Sequence, residues 1–351
     1  MAGAIPGFLP SRLYGVGDEA TTIARQERQR YASRCWHPLA AASELPPQGA
    51  LAVELLGQPL LLTRLGDAAD GAVHQPRAFL NRCPHRGVAL LAAGEPARQC
   101  RRLVCPYHGW SYSLQGHLLA AAREAEFVAP FERQHWPLQP LACRQLGPLI
   151  WVALGPDPLP LEQQLDLVLA EAAALYGQPR QLLERWQTPL ACNWKIAHDN
   201  TLDDYHVAIA HPTTLHREQG PVRRYRHALS PHANLLATPH HQGGSFYTFG
   251  LAPWTHLLLW PDGRLALIQF LPEANDPQRC TMAVDLLGAP RFAATAAAWR
   301  AELQGFLEED RRLVESAQRG YASGLKPGPA HRLEQRLLQW QALYRRWMEL
   351  E

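Results

Sequence analysis

The sequence predicts an α+β protein in which strand-rich and helix-rich stretches follow one another along 351 residues. Short apolar runs bounded by Gly and Pro, at 51–64 and 147–154, are typical of strands. From about residue 160 the pattern becomes helical, over 161–175 and again over 193–210. The stretch 244–287 returns to aromatic and branched residues between turn signals. A chain of this length and order of elements has room for two domains.

The C-terminal part predicts two amphipathic helices. Apolar residues recur at helical steps in two stripes: Trp299, Leu303, Phe306, Leu313 and Ala317, and then Leu333, Leu337, Trp340, Tyr344 and Trp347. We expect the second stripe to pack against the body of the protein or against a partner subunit.

The composition is that of an ordinary globular protein, with 47% hydrophobic and 19% charged residues. A net charge of +2 predicts neither nucleic-acid nor membrane-surface binding. The N-terminus does not resemble a signal peptide, and no apolar run is long enough to span a bilayer. An odd count of seven cysteines argues against a disulfide framework, so we expect a reducing, cytoplasmic location.

Two short loops each combine one cysteine with one histidine. Cys83 and His85 lie in Cys-Pro-His-Arg-Gly, and Cys105 and His108 lie in Cys-Pro-Tyr-His-Gly-Trp. Two cysteines and two histidines can bind zinc, which is the alternative interpretation. A Rieske cluster instead needs both cysteines on one iron and both histidines on the other. Loops that mix the two residue types favour the [2Fe–2S] cluster.

These loops resemble the Rieske domain family. Trp36-His37-Pro38 is similar to the start of such domains, and 147–151 to their closing strand. The gap between His85 and Cys105 holds 19 residues, slightly more than the commonest spacing. Cys100 lies in this gap, and we interpret it as a non-ligand.

A second group of titratable residues comprises Asp203, Asp204, His206 and His211. His206 and His211 are five residues apart, about 140° on a regular helix, so they cannot point the same way without distortion. Pro212 disfavours helical geometry at the residue before it. We therefore expect the helix to end or bulge there, which would let the two imidazoles converge.

A third ligand would complete a triad of two histidines and one carboxylate. Asp310 lies on the apolar face of the first C-terminal helix, where an unpaired carboxylate is costly. Glu308 and Glu309 lie off that face and are predicted to remain solvated. The alternative is that Asp310 pairs with an arginine such as Arg300 or Arg224.

The second group resembles the catalytic domain of Rieske oxygenase α subunits. The matching residues are Asn193-Trp-Lys, Asn200-Thr-Leu-Asp-Asp-Tyr-His206, His211-Pro212 and Glu309-Asp310. The resemblance implies that His206, His211 and Asp310 hold Fe(II). It also implies that Asp203 connects His206 to the cluster ligand His108 of a neighbouring subunit, whereas Asp204 is a non-ligand.

The same resemblance implies the architecture. We expect an antiparallel β Rieske domain over 36–155. Residues 1–35 and 156–351 would form an α+β catalytic domain, with a curved antiparallel sheet flanked by helices in a helix-grip arrangement. Each chain would carry one [2Fe–2S] cluster and one Fe(II), and head-to-tail trimers are usual in the family.

The implied reaction inserts oxygen from O2 into a small organic substrate. Electrons would come from NAD(P)H through a separate flavin reductase or ferredoxin, because no G-x-G-x-x-G motif is present. We favour monohydroxylation or oxidative demethylation over ring dihydroxylation, and an electron-transfer or sensor protein with an inert second domain is the alternative of another class. Aromatic residues within 225–270, including Phe246, Tyr247, Phe249, Trp254 and Trp260, either line the pocket or form ordinary core.

Overall fold

A computed structural model describes residues 8–66 and 74–350 of the chain. The chain divides into two compact units, Trp36–Pro156 and the combination of Met1–Cys35 with Asp157–Glu351. Within the described ranges, no helix is both long and apolar enough to cross a bilayer.

The unit Trp36–Pro156 is built from antiparallel strands. Its strands are β1 (Trp36–Ala41), β2 (Gly49–Leu55), β3 (Gln58–Arg64), β4 (Arg77–Leu80), β5 (Arg98–Gln99), β6 (Leu103–Val104), β7 (Ser111–Tyr112), β8 (Leu118–Ala120), β9 (Pro140–Leu146) and β10 (Leu149–Ala153). Seven of them form one sheet in the order β1-β10-β9-β4-β3-β2-β5, and β6-β7-β8 form a small second sheet.

Local sequence explains the strands that were predicted. The run 51–64 forms the β2–β3 hairpin, whose two turn residues, Leu56 and Gly57, both have positive φ. Positive φ at both positions is the type I′ geometry that suits a two-residue hairpin turn. The run 147–154 contains β10, in which every residue is buried, as expected for a continuous apolar run.

The small sheet and its flanking loops share one apolar core. Cys83 and Cys105 are buried in it beside Trp110, Tyr112 and Leu103. A close-packed core holds the backbone of both loops in fixed positions. The two Cys/His loops are therefore anchored at their cysteine ends.

The second unit combines one large sheet with helices. Its helices are α1 (Ala20–Gln26), α2 (Leu161–Gln164), α3 (Asp166–Tyr176), α4 (Trp194–Leu202), α5 (Val207–Ala210), α6 (Leu215–Gln219), α7 (Ala296–Ala322) and α8 (Gln335–Met348). Its strands are β11 (Gln181–Leu190), β12 (Arg226–Leu229), β13 (Ala233–Pro239), β14 (Ser245–Leu251), β15 (Thr255–Leu259), β16 (Leu265–Pro272) and β17 (Cys280–Gly288).

The seven strands form an antiparallel sheet in the order β11-β17-β16-β15-β14-β13-β12. Helix α4 packs against α7 and against β16, and α7 also packs against β11. Gly250 on β14 permits this close approach, because a Cβ there would lie 2.5 Å from the Leu202 side chain of α4. The fold is the predicted combination of a curved antiparallel sheet and flanking helices.

The helix predicted over 193–210 is interrupted. Helix α4 ends at Leu202, Asp203 adopts an extended conformation, and α5 begins only at Val207. The Asp203 carboxylate accepts a hydrogen bond from the Tyr205 N–H at 2.8 Å, which replaces a helical bond at this point. Asp203 and His206 therefore do not lie on one continuous helix, although their side chains are in contact.

The amphipathic C-terminal helices are present, with one correction. Leu313, which we assigned to the buried stripe of α7, is 46% exposed, and Val314 is buried in its place. The stripe drifts because a step of seven residues does not match 3.6 residues per turn. On α8 the predicted apolar side chains, Trp340 and Tyr344 among them, are buried against the body of this unit.

Asp199 on α4 gives the fold a pH dependence. Burial raises the pKa of Asp199 to about 7, against hydrogen bonds donated by Tyr14 and Gln341 that favour the ionised form. A carboxyl whose pKa is higher in the folded state takes up a proton on folding, so the unfolding free energy falls as pH rises through that window. We expect Asp199→Asn to raise the Tm at pH 8, by roughly 2–4 °C for each kcal/mol gained in the free energy of unfolding.

The comparison needs melting curves at pH 5 and pH 8. The gain from Asp199→Asn should shrink at pH 5, because the wild-type carboxyl is then largely protonated in the folded protein. Asp18→Asn, at an exposed position, serves as the control. An equal increase in Tm at pH 5 and pH 8 would contradict the raised pKa assigned to Asp199.

Candidate active site

Three side chains converge in the second unit from two different elements. His206 and His211 flank the short helix α5, and Asp310 projects from α7. His211 Nε2 lies 3.3 Å from His206 Nε2 and 2.9 Å from Asp310 Oδ1. His206 Nε2 lies 3.4 Å from the same carboxylate oxygen. The break between α4 and α5 makes this convergence possible.

Each imidazole also has a carboxylate next to its second nitrogen. His211 Nδ1 lies 2.7 Å from Glu309 Oε2, and the Thr214 hydroxyl donates to the same oxygen at 2.8 Å. His206 Nδ1 lies 3.4 Å from Asp203 Oδ2. A carboxylate on Nδ1 leaves the Nε2 lone pair for a metal and fixes the orientation of the ring. The Glu309 side chain remains 39% exposed, as predicted, but it also bonds His211, whereas Glu308 pairs with Arg311 at the surface.

The charges of the three side chains are strongly coupled. Burial opposes protonation of His206, but hydrogen bonds with Asp203 and Asp310 raise its pKa to about 10. Burial likewise lowers the pKa of His211, and Asp310 and Glu309 outweigh it. Burial raises the pKa of Asp310, but the two imidazoles bring it below its usual value. The raised pKa values of the two imidazoles favour protonation, so metal binding at this group competes with protons.

The triad fits one transition-metal ion. In the described part of the chain, two groups of at least three His, Cys, Asp or Glu residues have ligand atoms all within 4.8 Å of one another, and His206, His211 and Asp310 form one of them. Two histidines and one carboxylate that leave other positions open are typical of non-haem Fe(II) oxygenases. The alternative arginine partner for Asp310 is wrong: Arg300 pairs with Glu184.

Glu309 offers a direct test of this outer layer. We expect Glu309→Ala to weaken Fe(II) affinity by about 10–100-fold, because the His211 ring loses the carboxylate that orients it. Competition with a chelator measures the affinity. Glu308→Ala, one residue earlier on α7, should leave the Fe(II) affinity unchanged. Equal losses of Fe(II) affinity in both variants would show that Glu309 does not act by orienting His211.

The two Cys/His loops of the first unit have the same backbone conformation. Cys83 N–H donates to Val88 and Cys105 N–H donates to Trp110, both at 2.8 Å. A glycine closes each loop by donating back to the cysteine carbonyl, at 2.8 Å for Gly87 and 3.1 Å for the equivalent Gly109. Both glycines have positive φ and open space where a Cβ would be, so glycine is needed for conformation rather than for space.

The cysteine and histidine ends of these loops differ in environment. Cys83 and Cys105 are buried, and the Tyr112 hydroxyl lies 3.3 Å from Cys83 Sγ. The rings of His85 and His108 meet at 4.6 Å, with His85 half-buried and His108 exposed. Burial is the main cause that lowers the pKa of His85, which favours the neutral, ligating form.

The spacing of the four side chains favours a [2Fe–2S] cluster over a zinc ion at this site. Two thiolates on one zinc ion lie no more than roughly 4.6 Å apart, twice the Zn–S bond length. No three of Cys83, His85, Cys105 and His108 meet a 4.8 Å limit among the described residues. A cysteine pair set apart from a histidine pair fits two irons. Cys100 packs against the edge of the core.

Two cavities lie beside the triad. The inner cavity, about 40 Å³, borders His206 and Asp310, and the outer cavity, about 410 Å³, borders Trp260. The two faces of α6 separate them: Leu215 and Gln219 line the inner cavity, and Arg217 and Glu218 line the outer one. Phe306 of α7 borders both. The arrangement provides a small chamber at the metal triad and a larger space next to it.

The segment 225–270 contributes walls to both cavities, but mainly through side chains that the sequence did not single out. Phe246, Phe249 and Trp254 are 0–1% exposed and belong to the core. Of the five aromatic candidates, Trp260 is the one that borders the cavities described above. Thr248 and His256 border the inner cavity instead. Strand alternation alone could not tell which of the two buried sheet faces meets the metal triad.

The second group with metal-type spacing is Glu218, His240 and His241, beside the outer cavity. Its hydrogen bonds are already made within the protein. Glu218 Oε2 lies 3.2 Å from His240 Nε2 and accepts from Trp260 Nε1 at 3.0 Å. We assign it no metal.

Comparisons with known families cover most of the chain. The family model for the Rieske [2Fe-2S] domain matches residues 35–132. The family model for the ring hydroxylating alpha subunit (catalytic domain) matches residues 181–350.

Curated relatives and solved structures agree with these models. The carnitine monooxygenase oxygenase subunit of Escherichia coli (strain K12) is 29% identical over 92% of this chain and 90% of its own length. The glycine betaine monooxygenase oxygenase subunit of Pseudomonas aeruginosa (strain UCBPP-PA14) is 29% identical over 51% of this chain and 40% of its own.

A quaternary ammonium Rieske monooxygenase in complex with L-carnitine has the same fold. Its TM-score is 0.80 at 23% identity, with 98% of this chain and 96% of that chain covered. The chain therefore belongs to the α subunits of the Rieske non-haem iron oxygenases, oxidoreductases that carry a [2Fe–2S] cluster and a non-haem iron.

Proposed function

We propose that the chain is the oxygenase component of a monooxygenase that hydroxylates or oxidatively demethylates a small organic substrate. Its electrons come from NAD(P)H through a separate reductase. The observation that carries the proposal is the convergence of two imidazoles and one carboxylate at the inner cavity, with each imidazole held by a second carboxylate.

In this proposal His206, His211 and Asp310 hold Fe(II). The bound iron supplies the activation of dioxygen. Glu309 holds the His211 ring with Nε2 turned towards the metal site, and Asp203 contacts Nδ1 of His206. The inner cavity positions the reacting group of the substrate at the open side of the triad and limits its size.

Cys83, Cys105, His85 and His108 hold the [2Fe–2S] cluster. Buried thiolates and an exposed imidazole leave the histidine side of the cluster facing outwards, where an electron can pass to another protein surface. The hydrogen bond from Tyr112 to Cys83 and histidine ligation both raise the potential of such a cluster.

Asp203 is the proposed receiver of the electron. Its side chain is 23% exposed and contacts His206 directly, so it connects the surface to the triad. Apolar side chains are exposed beside it: Tyr205 is 49% exposed, and Leu313, which shares a surface cavity with Asp203, is 46% exposed. Exposed apolar groups around a functional residue indicate a protein interface.

We propose that this surface receives His108 of a neighbouring subunit in a closed, head-to-tail trimer. Inter-subunit electron transfer is described for one of the structural relatives, a quaternary ammonium Rieske monooxygenase. A flavin reductase or a ferredoxin would reduce the cluster. We place the assembly in the cytoplasm, since none of the seven cysteines, all of which lie in the described residues, forms a disulfide.

Monooxygenation is favoured over ring dihydroxylation by the relatives. A carnitine monooxygenase oxygenase subunit matches 92% of this chain, and shorter matches include methanesulfonate and glycine betaine monooxygenases. A dioxygenase for terephthalate matches 54% of this chain, so the preference depends on the carnitine monooxygenase match over 92%. An inert second domain is disfavoured, because a structural protein has no need of a buried triad with two supporting carboxylates.

Labelled dioxygen tests the reaction. Iron-loaded protein, supplied with a reductase, NADH and a panel of small methylated amines, should incorporate one labelled oxygen atom into product for each dioxygen consumed. Incorporation of both atoms would favour a dioxygenase. Reduction of the cluster without any substrate-dependent oxygen uptake across the panel would favour the electron carrier.

A further inference from the structure

The inner cavity contains two polar atoms that no protein group satisfies. Within the described residues, His256 Nε2 and Thr248 Oγ1 are buried and have no hydrogen-bond partner. His256 is 2% exposed and Thr248 is 4% exposed. A buried polar group without a partner is destabilising, so two of them in one small cavity require an explanation.

The sheet places both side chains on the face that meets the metal triad. In the antiparallel register Thr248 is opposite Leu258, and His256 is opposite both Gly250 and Ile268. Directly opposed residues share one face of a sheet, and so do residues two apart on one strand. Thr248, His256, Leu258 and Ile268 therefore point the same way, and all four line the inner cavity with His206 and Asp310.

The ring of His256 has a defined hydrogen-bonding role. Burial is the main cause that holds its pKa well below the usual value, and Arg336 and His198 lower it further, so the imidazole is neutral. The ring also bonds to the backbone of Thr201, and since Nε2 has no partner this bond belongs to Nδ1. A neutral ring that donates from Nδ1 to a carbonyl presents a lone pair at Nε2.

We infer that Thr248 and His256 bind the reacting end of the substrate, and that this end carries an O–H or N–H donor next to the carbon that is oxidised. The inference rests on the proposed function, since it concerns the same cavity. Quaternary ammonium groups have no N–H, so such a group would leave Nε2 unsatisfied. The preferred substrates are therefore small alcohols or incompletely alkylated amines, which distinguishes this site from one built for a quaternary ammonium.

Matched probes that differ by one donor test the inference. N,N-dimethylglycine carries an N–H that glycine betaine lacks, and choline carries an O–H that its methyl ether lacks. We expect the wild-type protein, loaded with iron and kept anaerobic, to bind at least one donor about tenfold or more tightly than its methylated match, as measured by calorimetry. This comparison requires no variant to fold.

Two variants assign the effect to the residues. His256→Asn keeps an amide donor near the Nδ1 position but removes the Nε2 acceptor, and Thr248→Val removes only the hydroxyl. Each variant should weaken binding of the donor probe by about tenfold and should change the affinity for the methylated match less. The control is Thr238→Val, because Thr238 is a buried threonine of the same sheet that also lacks a hydroxyl partner but does not line this cavity.

Equal affinity of the wild-type protein for each donor probe and its methylated match would overturn the inference, and so would binding of neither donor probe. A structural water would then satisfy His256 Nε2 and Thr248 Oγ1. Protein that ignores both donors but oxidises glycine betaine would still be a monooxygenase. Protein that binds a donor through His256 but incorporates no oxygen would retain this site and lose the proposed function.

Discussion

Asp203→Asn is expected to lower steady-state turnover by about 10–100-fold while both metal sites remain loaded. The amide can still accept the Tyr205 N–H bond that shapes this turn, so the backbone should not move. What it loses is the charged contact with His206 Nδ1, through which we route the electron. In the variant, a pre-reduced cluster mixed with dioxygen and substrate should remain reduced, which its EPR signal reports.

The control for this experiment lies four residues earlier, on helix α4. Asp199→Asn removes an acid that has no contact with the triad, and its cluster should reoxidise at the wild-type rate. If the cluster of Asp203→Asn is reoxidised at the wild-type rate, the electron does not pass through Asp203. Loss of the mononuclear iron in that variant would instead make Asp203 a residue that positions the ligand His206.

Asp310→Ala is expected to remove the mononuclear iron and all oxygen incorporation, with the [2Fe–2S] cluster unaffected. The carboxylate is the only anionic member of the triad, and two neutral imidazoles bind a hard divalent iron poorly. The variant also leaves His206 and His211 without the group that bonds both of them. Iron content should fall by about one atom per chain, and the visible spectrum of the cluster should remain.

Glu308→Ala is the matched control, since it removes an acid of the same helix that pairs only with surface arginines. Unchanged iron content in Asp310→Ala would show that another group is the third ligand. A simultaneous loss of the cluster would show that the variant is misfolded rather than selectively depleted.

The parts of the site that sequence predicted are those set by short-range rules. Each Cys/His loop lies within six residues, so its candidate ligands and its turn glycine can be recognised together. Asp310 stood out because a carboxylate within an apolar stripe needs a partner. His206 and His211 were expected to converge because Pro212 breaks the helix, and in the structure their Nε2 atoms lie 3.3 Å apart.

The parts that sequence missed depend on contacts between distant segments. The helical pattern assigned Glu309 to the solvated face of α7, and its partner His211 lies 98 residues earlier. Thr248 and His256 sit on strands buried on both faces, where alternation does not reveal the face that meets the triad. Leu313 was misplaced because the apolar stripe was extended over too many turns at a seven-residue step.

Metal and sulfide analysis of purified, anaerobically reconstituted protein tests the central claim that one chain holds two different iron sites. We expect about three irons and about two inorganic sulfides per chain, together with a brown colour and a Rieske-type EPR signal on reduction. Colourless protein without inorganic sulfide would contradict the cluster, and about two irons with two sulfides would contradict the mononuclear site.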